Sequence, residues 1–191
     1  MNPLEIAAAL FGLVNVALVV RRSVWNYPFG LIMVSLYALL FFEQRLYSDM
    51  LLQFFFFAIQ LYGWVNWARA GRFEGGVSVA AMGWTTRIGW LVFAALFSVA
   101  LGAAMHRWTD AAAPFVDSAI AGFSVAAQIL QSRRRVESWV LWIAVDVVAI
   151  GLFWQRGLMV TAALYAIFLM LSIIGLVEWA RMLRAERRAA A

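Results

Sequence analysis

The chain has 191 residues, 65% of them apolar and 13% charged, with a mean hydropathy of +0.85. A soluble domain would be about half apolar and a quarter charged, so this composition excludes an ordinary globular protein and makes the bilayer the expected solvent. The absence of cysteine excludes disulfides and thiolate metal sites, and the lone His106 sits among loop residues with no cluster to make it a ligand, so no metal and no cofactor are expected.

Seven spans are expected in chain order: Leu4 to Val20, Tyr27 to Phe42, Met50 to Trp67, Ile88 to Met105, Phe115 to Gln131, Trp139 to Trp154 and Leu158 to Trp179. Several lie near the lower limit for crossing ~30 Å of hydrocarbon, as suits short helices in a small bundle. The first residues, Met-Asn-Pro-Leu-Glu, lack the basic start of a signal peptide, so the first apolar stretch is read as a retained span. The loops are brief. The longest, Ala68 to Arg87, contains Gly71, Gly75 and Gly76 and reads as a flexible connector.

All fifteen basic residues are arginine. If the spans alternate in direction, Arg45, Arg107 and Arg156 fall on one side and the other twelve on the opposite side. The positive-inside rule then puts the N-terminus outside and the C-terminus in the cytoplasm. The net charge of +5 is read as anchoring at lipid headgroups, with no nucleic-acid partner.

The chain repeats itself. A shift of 112 residues carries Arg21-Arg22 onto Arg133-Arg134, Gly63 onto Gly175 and Trp67-Ala68-Arg69 onto Trp179-Ala180-Arg181. Spans one to three therefore mirror spans five to seven, and span four links them. One linking span restores the starting side, so both triplets cross in the same direction, as a parallel repeat. The expected fold is an all-α integral membrane bundle of seven helices in a 3+1+3 arrangement. Residues 1–70 form the first repeat, 71–112 the loop and linking helix, 113–182 the second repeat, and 183–191 a basic cytoplasmic tail. In such bundles the substrate site is expected near the membrane midplane, between the repeats.

The intramembrane polar residues are the candidate site. Asp146 is an acid inside an apolar run, with Trp139 and Trp142 before it at helical spacing. At 100° per residue the three fall within roughly 60° on one helix face. A carboxylate at membrane depth costs at least ~2.5 kcal/mol and is rarely kept unless it faces a cavity, a partner or a substrate. Two indoles beside it suit a flat, positively charged aromatic ligand. Trp64, Trp67, Trp84, Trp90, Trp108, Trp154 and Trp179 lie near span ends and read as interfacial belt residues, and Trp139, which begins its span, suits the same belt. Asn15, Gln53, Gln60 and Gln128 offer amides at depth, and Tyr37 and Tyr165 offer hydroxyls. Each of these serves equally as glue between helices, and the alternative for Asp146 is a pairing with a neighbouring hydroxyl or amide.

These residues resemble a known family, the PnuC vitamin transporters, typified by carriers of nicotinamide riboside. The stretch Glu137 to Asp146 looks like the family's W-x-x-W-x-x-x-N/D motif in the sixth span. Trp25 to Leu31, Leu46 to Gln53 and Gly157 to Tyr165 support it, and Gly63 with Trp67 and Gly175 with Trp179 look like the family's ends of spans three and seven. The resemblance implies a SWEET-like bundle, a homotrimer, and uptake of nicotinamide riboside by facilitated diffusion with cytoplasmic phosphorylation trapping the substrate for NAD biosynthesis. It also implies that Trp139 and Trp142 line the pyridinium, Asp146 faces the cation or a hydroxyl, and Gln53, Gln60 and Gln128 bond the amide and ribose. Thiamine, another cationic aromatic carried by relatives, is the first alternative, and flavin is disfavoured because it is not a cation. A membrane enzyme using Asp146 as general base would need a second acid-base group within reach, and the other acids sit at span ends, so no enzyme is expected. Proton coupling through Asp146 is a further alternative.

Overall fold

The computed structural model describes residues 3–43, 47–73, 78–109, 113–155, 157 and 159–189. Among them are seven helices: α1 (Pro3–Val20), α2 (Asn26–Glu43), α3 (Tyr47–Phe73), α4 (Trp84–Trp108), α5 (Pro114–Ser132), α6 (Glu137–Gln155) and α7 (Met159–Ala189). The seven expected spans each fall on one helix. Arg45, Gly75, Gly76, Asp110, Arg156 and Leu158 lie outside the described residues.

In hydrocarbon every backbone polar group must be satisfied within its own segment, which is why an apolar chain of this kind folds as helices. Pro3 and Pro114 open α1 and α5, where a missing N–H leaves no broken bond. Large apolar side chains face outward, as Leu96 at 66% and Val99 at 59% exposure do on α4. Such a surface suits lipid and not water. Five helices (α1, α2, α4, α6 and the Thr161–Glu186 stretch of α7) are long and apolar enough to cross a membrane by length and composition. The other two, α3 and α5, carry the glutamines Gln53, Gln60, Gln128 and Gln131. Both α3 and α7 run past their expected ends at Trp67 and Trp179, because the Ala- and Arg-rich stretches that follow keep a high helix propensity after the apolar run stops.

The chain divides into two compact units. The first holds Met1–Val79 with Ser132–Arg134, and the second holds Ala80–Gln131 with Arg135–Ala191. In the first, α2 packs against both α1 and α3; in the second, α6 packs on α7. α4 belongs to the second unit. Its buried residues Ala94, Ser98 and Gly102 are spaced by four and make one small-residue stripe. A Cβ on Gly122 of α5 would fall 2.2 Å from the Ser98 hydroxyl, so the two backbones approach closely there. The entry to α4 is also fastened. Ala80 O accepts from Val136 N at 3.0 Å, and the Glu137 carboxylate accepts from Met82 N at 2.8 Å and from the Arg87 guanidinium at 2.8–2.9 Å.

The turns after α1 and α5 share a conformation and three backbone hydrogen bonds at the 112-residue shift. Arg22 and Arg134 both take the left-handed conformation, with φ of 55° and 61°. Ser23 N donates to Leu18 O and Arg135 N to Leu130 O, each at 2.9 Å. These are the six-to-one bonds of a Schellman helix end. A non-glycine residue there costs about 1–2 kcal/mol, which the turn's hydrogen bonds offset. The next turn of chain matches too: Asn26 N to Ser23 O and Ser138 N to Arg135 O, both 3.1 Å, then Tyr27 N to Val24 O and Trp139 N to Val136 O, both 3.2 Å.

Candidate functional site

The matched turns set up matched joints. Each starts a helix with an aromatic side chain and lays it against a glycine on the following helix. Tyr27 of α2 meets Gly63 and stands edge-on to Trp67 of α3, ring centroids 5.5 Å apart at 87°. Trp139 of α6 meets Gly175 and stands edge-on to Trp179 of α7, again 5.5 Å and 87°. A Cβ on Gly63 would lie 2.6 Å from the Tyr27 ring system, and one on Gly175 would lie 2.5 Å from the Trp139 indole. Only glycine leaves room for either ring. Edge-to-face pairs of this kind add about 0.5–1.5 kcal/mol beyond the area they bury.

Trp139 is therefore 1% exposed, and its indole faces are covered by α7. Trp142, one turn deeper, is half-buried. It leans on an apolar cluster of Ala94, Ala126, Ala127, Leu130 and Leu141, and its indole N–H donates to Gln131 Oε1 on α5. One turn further, Asp146 is 3% exposed and accepts a hydrogen bond from the Ser172 hydroxyl of α7 at 3.0 Å. Among the described residues no arginine forms an ion pair with it. The face expected to carry Trp139, Trp142 and Asp146 thus meets two neighbouring helices: α7 at Trp139 and Asp146, and α5 at Trp142. Tyr165 of α7 stacks its ring near Phe153 at 5.2 Å and edge-on to Phe168 at 5.9 Å. Gln128 of α5 is half-buried.

In the first unit the polar residues gather elsewhere. Asn15 of α1 and Gln60 of α3 are buried at 8% and 4% exposure. Both crowd the bare face of Gly30 on α2: a Cβ there would lie 2.3 Å from Gln60 Nε2 and 2.7 Å from Asn15 Nδ2. Asn15 Nδ2 also donates to Asn26 O at 2.7 Å, which ties α1 to the start of α2. Tyr37 of α2 is half-buried and stacks on Phe41 at 5.9 Å. Gln53 of α3 is half-buried and stands two turns before Gln60. The structure thus joins Asn15 to Gln60 around Gly30, and within the second unit it gives Asp146 and Trp142 each a holder.

A neighbouring hydroxyl was the alternative partner for Asp146, and Ser172 is that hydroxyl; the Gln131–Trp142 pair is what reading the sequence passed over. Ser172 is visible there only as one hydroxyl in an apolar span, and Gln131 only as the polar end of span five. The 112-residue shift was the available signal. It sets Gln131 opposite Val19 and Ser172 opposite Gln60, so each marks a place where the second half departs from the first.

No group of three or more His, Cys, Asp or Glu that could hold a metal occurs among the described residues. What the second unit offers is a buried, hydroxyl-held carboxylate one turn from a half-buried indole. That arrangement favours binding of an organic cation over covalent chemistry, which would need a second reacting group.

Known proteins match this chain over most of its length and in fold. A family model described as nicotinamide mononucleotide transporter matches residues 2–181. The chain is similar to the nicotinamide riboside transporter PnuC of Escherichia coli (strain K12), 30% identical over 201 residues, covering 92% of this chain and 84% of that protein. The Neisseria mucosa PnuC is 30% identical over 190 residues, covering 93% of this chain and 72% of that one. The riboflavin/roseoflavin transporter RibM of Streptomyces davaonensis is 28% identical over 182 residues, covering 92% and 83%. Among solved structures, the crystal structure of the vitamin B3 transporter PnuC superimposes with a TM-score of 0.77 at 26% identity, covering 95% of this chain and 82% of that one. Since the match runs from α1 into α7, the chain belongs to the nicotinamide mononucleotide transporter family of multi-pass membrane transporters.

Proposed function

We propose that this chain imports nicotinamide riboside across the bacterial inner membrane by facilitated diffusion, with phosphorylation in the cytoplasm drawing uptake forward. The observation that carries this reading is Asp146. It is an apolar-segment carboxylate at 3% exposure whose partner among the described residues is a neutral hydroxyl. An acid in that position is costly unless a cation visits it. Nicotinamide riboside brings a single positive charge delocalised over a flat ring. Asp146 would face that charge, and Trp142 would present its ring to the pyridinium. Gln128 and Tyr165 in the same unit would take the carboxamide and ribose. In the first unit, Asn15 and Gln60 at Gly30, with Gln53 and Tyr37, are the groups that would bond ribose hydroxyls during passage. Trp139 would serve through the joint it makes with Gly175 and Trp179.

The arginine distribution supports an outside N-terminus and a cytoplasmic C-terminus. The three backbone hydrogen bonds that the two turns share support a 3+1+3 reading of residues 1–70, 71–112 and 113–182, followed by the 183–191 tail. We read the assembly as a homotrimer by family resemblance.

Calorimetric titration of the purified protein tests the function, using nicotinamide riboside, thiamine and riboflavin against wild type, Trp142→Ala and Asp146→Ala. Removing one partner of a buried charge contact costs about 2–5 kcal/mol, so Asp146→Ala should weaken nicotinamide riboside at least ~30-fold. Binding of thiamine alone would change the substrate and keep the site. Riboflavin alone would align the chain with RibM and overturn the role of the cation. Nicotinamide riboside binding that neither variant alters would overturn the site. In liposomes, an imposed proton gradient should leave the uptake rate unchanged; acceleration would favour proton coupling through Asp146.

A further inference from the structure

The two halves of the chain share a scaffold, and the 112-residue shift separates scaffold from chemistry. The Schellman turns, the aromatic-on-glycine contacts and the edge-on ring pairs occur in both halves, so they are what any such repeat needs to stand. The hydrogen bond from the Trp142 indole to Gln131 Oε1 occurs in the second half alone. Its counterpart positions are Gly30 and Val19, which have no side-chain polar group between them. The repeat folds there without any such bond, so the Gln131–Trp142 pair is not a requirement of the scaffold.

The pair is also placed where orientation matters. Trp142 is half-buried, so it leans on the apolar cluster without being sealed by it. An indole on a helix has two side-chain torsions and can turn about both. Apolar packing is non-directional and does not by itself choose the ring's rotation. A hydrogen bond from Nε1 does choose it, because the donor points along one edge of the ring. Gln131 is 8% exposed near the end of α5, directly before the Schellman turn, where its backbone is fixed by the bond from Arg135 N to Leu130 O. Its acceptor is therefore held by the most regular part of the unit. Cation recognition by an aromatic face falls away when the ring is tilted out of register, since the attraction comes from the quadrupole normal to the ring.

We infer that Gln131 is a positioning residue that locks the Trp142 indole in the rotation that presents its face to a cationic aromatic substrate. The inference rests on Trp142 belonging to the substrate site. Gln131 itself touches no substrate.

A double-mutant cycle on nicotinamide riboside binding tests it, with ultraviolet resonance Raman as the second readout, since an indole band reports hydrogen bonding at Nε1. Gln131→Asn draws the acceptor back by one methylene while keeping the amide, and Gln131→Leu removes it. Each should weaken binding about five- to tenfold, the worth of one directed hydrogen bond. Each should also shift one of the ten tryptophans' N–H signal to the unbonded position. In a Trp142→Phe background, itself weakened, neither substitution should change affinity by more than about twofold. Four outcomes overturn the inference. In one, Gln131→Asn binds like wild type while Trp142→Phe is weak. In the second, the loss in the Trp142→Phe background equals that in wild type, which makes Gln131 a packing residue. In the third, affinity falls with no Raman shift. In the fourth, Trp142→Phe binds like wild type, which removes Trp142 from the site and so fails the functional reading itself. If Gln131→Leu does not fold, Gln131→Asn and the Raman band carry the decision.

Discussion

The turn after α1 and the turn after α5 share left-handed arginines, hydrogen bonds equal to a tenth of an ångström, and edge-on ring pairs at the same distance and angle. The side chains one to three turns beyond them share almost nothing. The first unit sets two amides around a bare glycine, while the second sets an indole and a carboxylate in the places of Gly30 and Val34. The lesson is that the turns and ring joints recur at the 112-residue shift while the polar side chains beyond them do not. Backbone turns and glycine contacts are jointly constrained, because changing one member collides with the others. A side chain facing a cavity or a substrate is free of that constraint and can diverge.

The comparison breaks most readily at its rings. Trp139→Ala should cost about 3–5 kcal/mol of stability, read as a large fall in the thermal midpoint in detergent, because it empties a fully buried site. Trp139→Phe keeps the edge-on contact and should keep most of both stability and ligand affinity. A Trp139→Phe protein that is stable yet binds nicotinamide riboside poorly would move Trp139 from the joint to the substrate. The glycines come next. Gly63→Ala and Gly175→Ala should each cost about 1–3 kcal/mol through overpacking, the second the more, since the broader indole has less room to yield. Equal losses would say that both joints relax alike despite their different rings. The smallest effect is expected where the second unit has a fastening that the first lacks. Glu137→Gln removes the charge facing Arg87 but leaves an acceptor for Met82 N, and should cost less than about 1 kcal/mol because Arg87 is partly exposed. A larger fall would make the entry of α4 a main support of the unit.

Much of this was legible in the residues. Hydropathy located all seven helices, since each apolar run that must satisfy its backbone in lipid has one solution. The shared 112-residue shift of Arg21-Arg22, Gly63 and Trp67 marked a repeat but not its joints: Trp67 and Trp179 read as interfacial belt residues, and the structure buries both completely against Tyr27 and Trp139, because a glycine one turn away lets the rings close on each other. The candidate site was legible as a set of residue types and not as an arrangement. Spacing put Trp139, Trp142 and Asp146 on one face, and they do share it, yet each meets a different neighbour. A helical wheel gives the angle of a side chain about its own axis and carries no information on what lies opposite.

The sequence by itself therefore determined the solvent, the helices and the internal repeat, since these follow from composition and periodicity along one dimension. The tertiary structure alone decided that Trp139 is sealed against Gly175, that Gln131 holds Trp142 and that Ser172 holds Asp146. Those pairings span 36, 11 and 26 residues, and they depend on how whole helices rotate and slide to fill space. Packing of that kind is a property of all the side chains at an interface together, which no local pattern encodes.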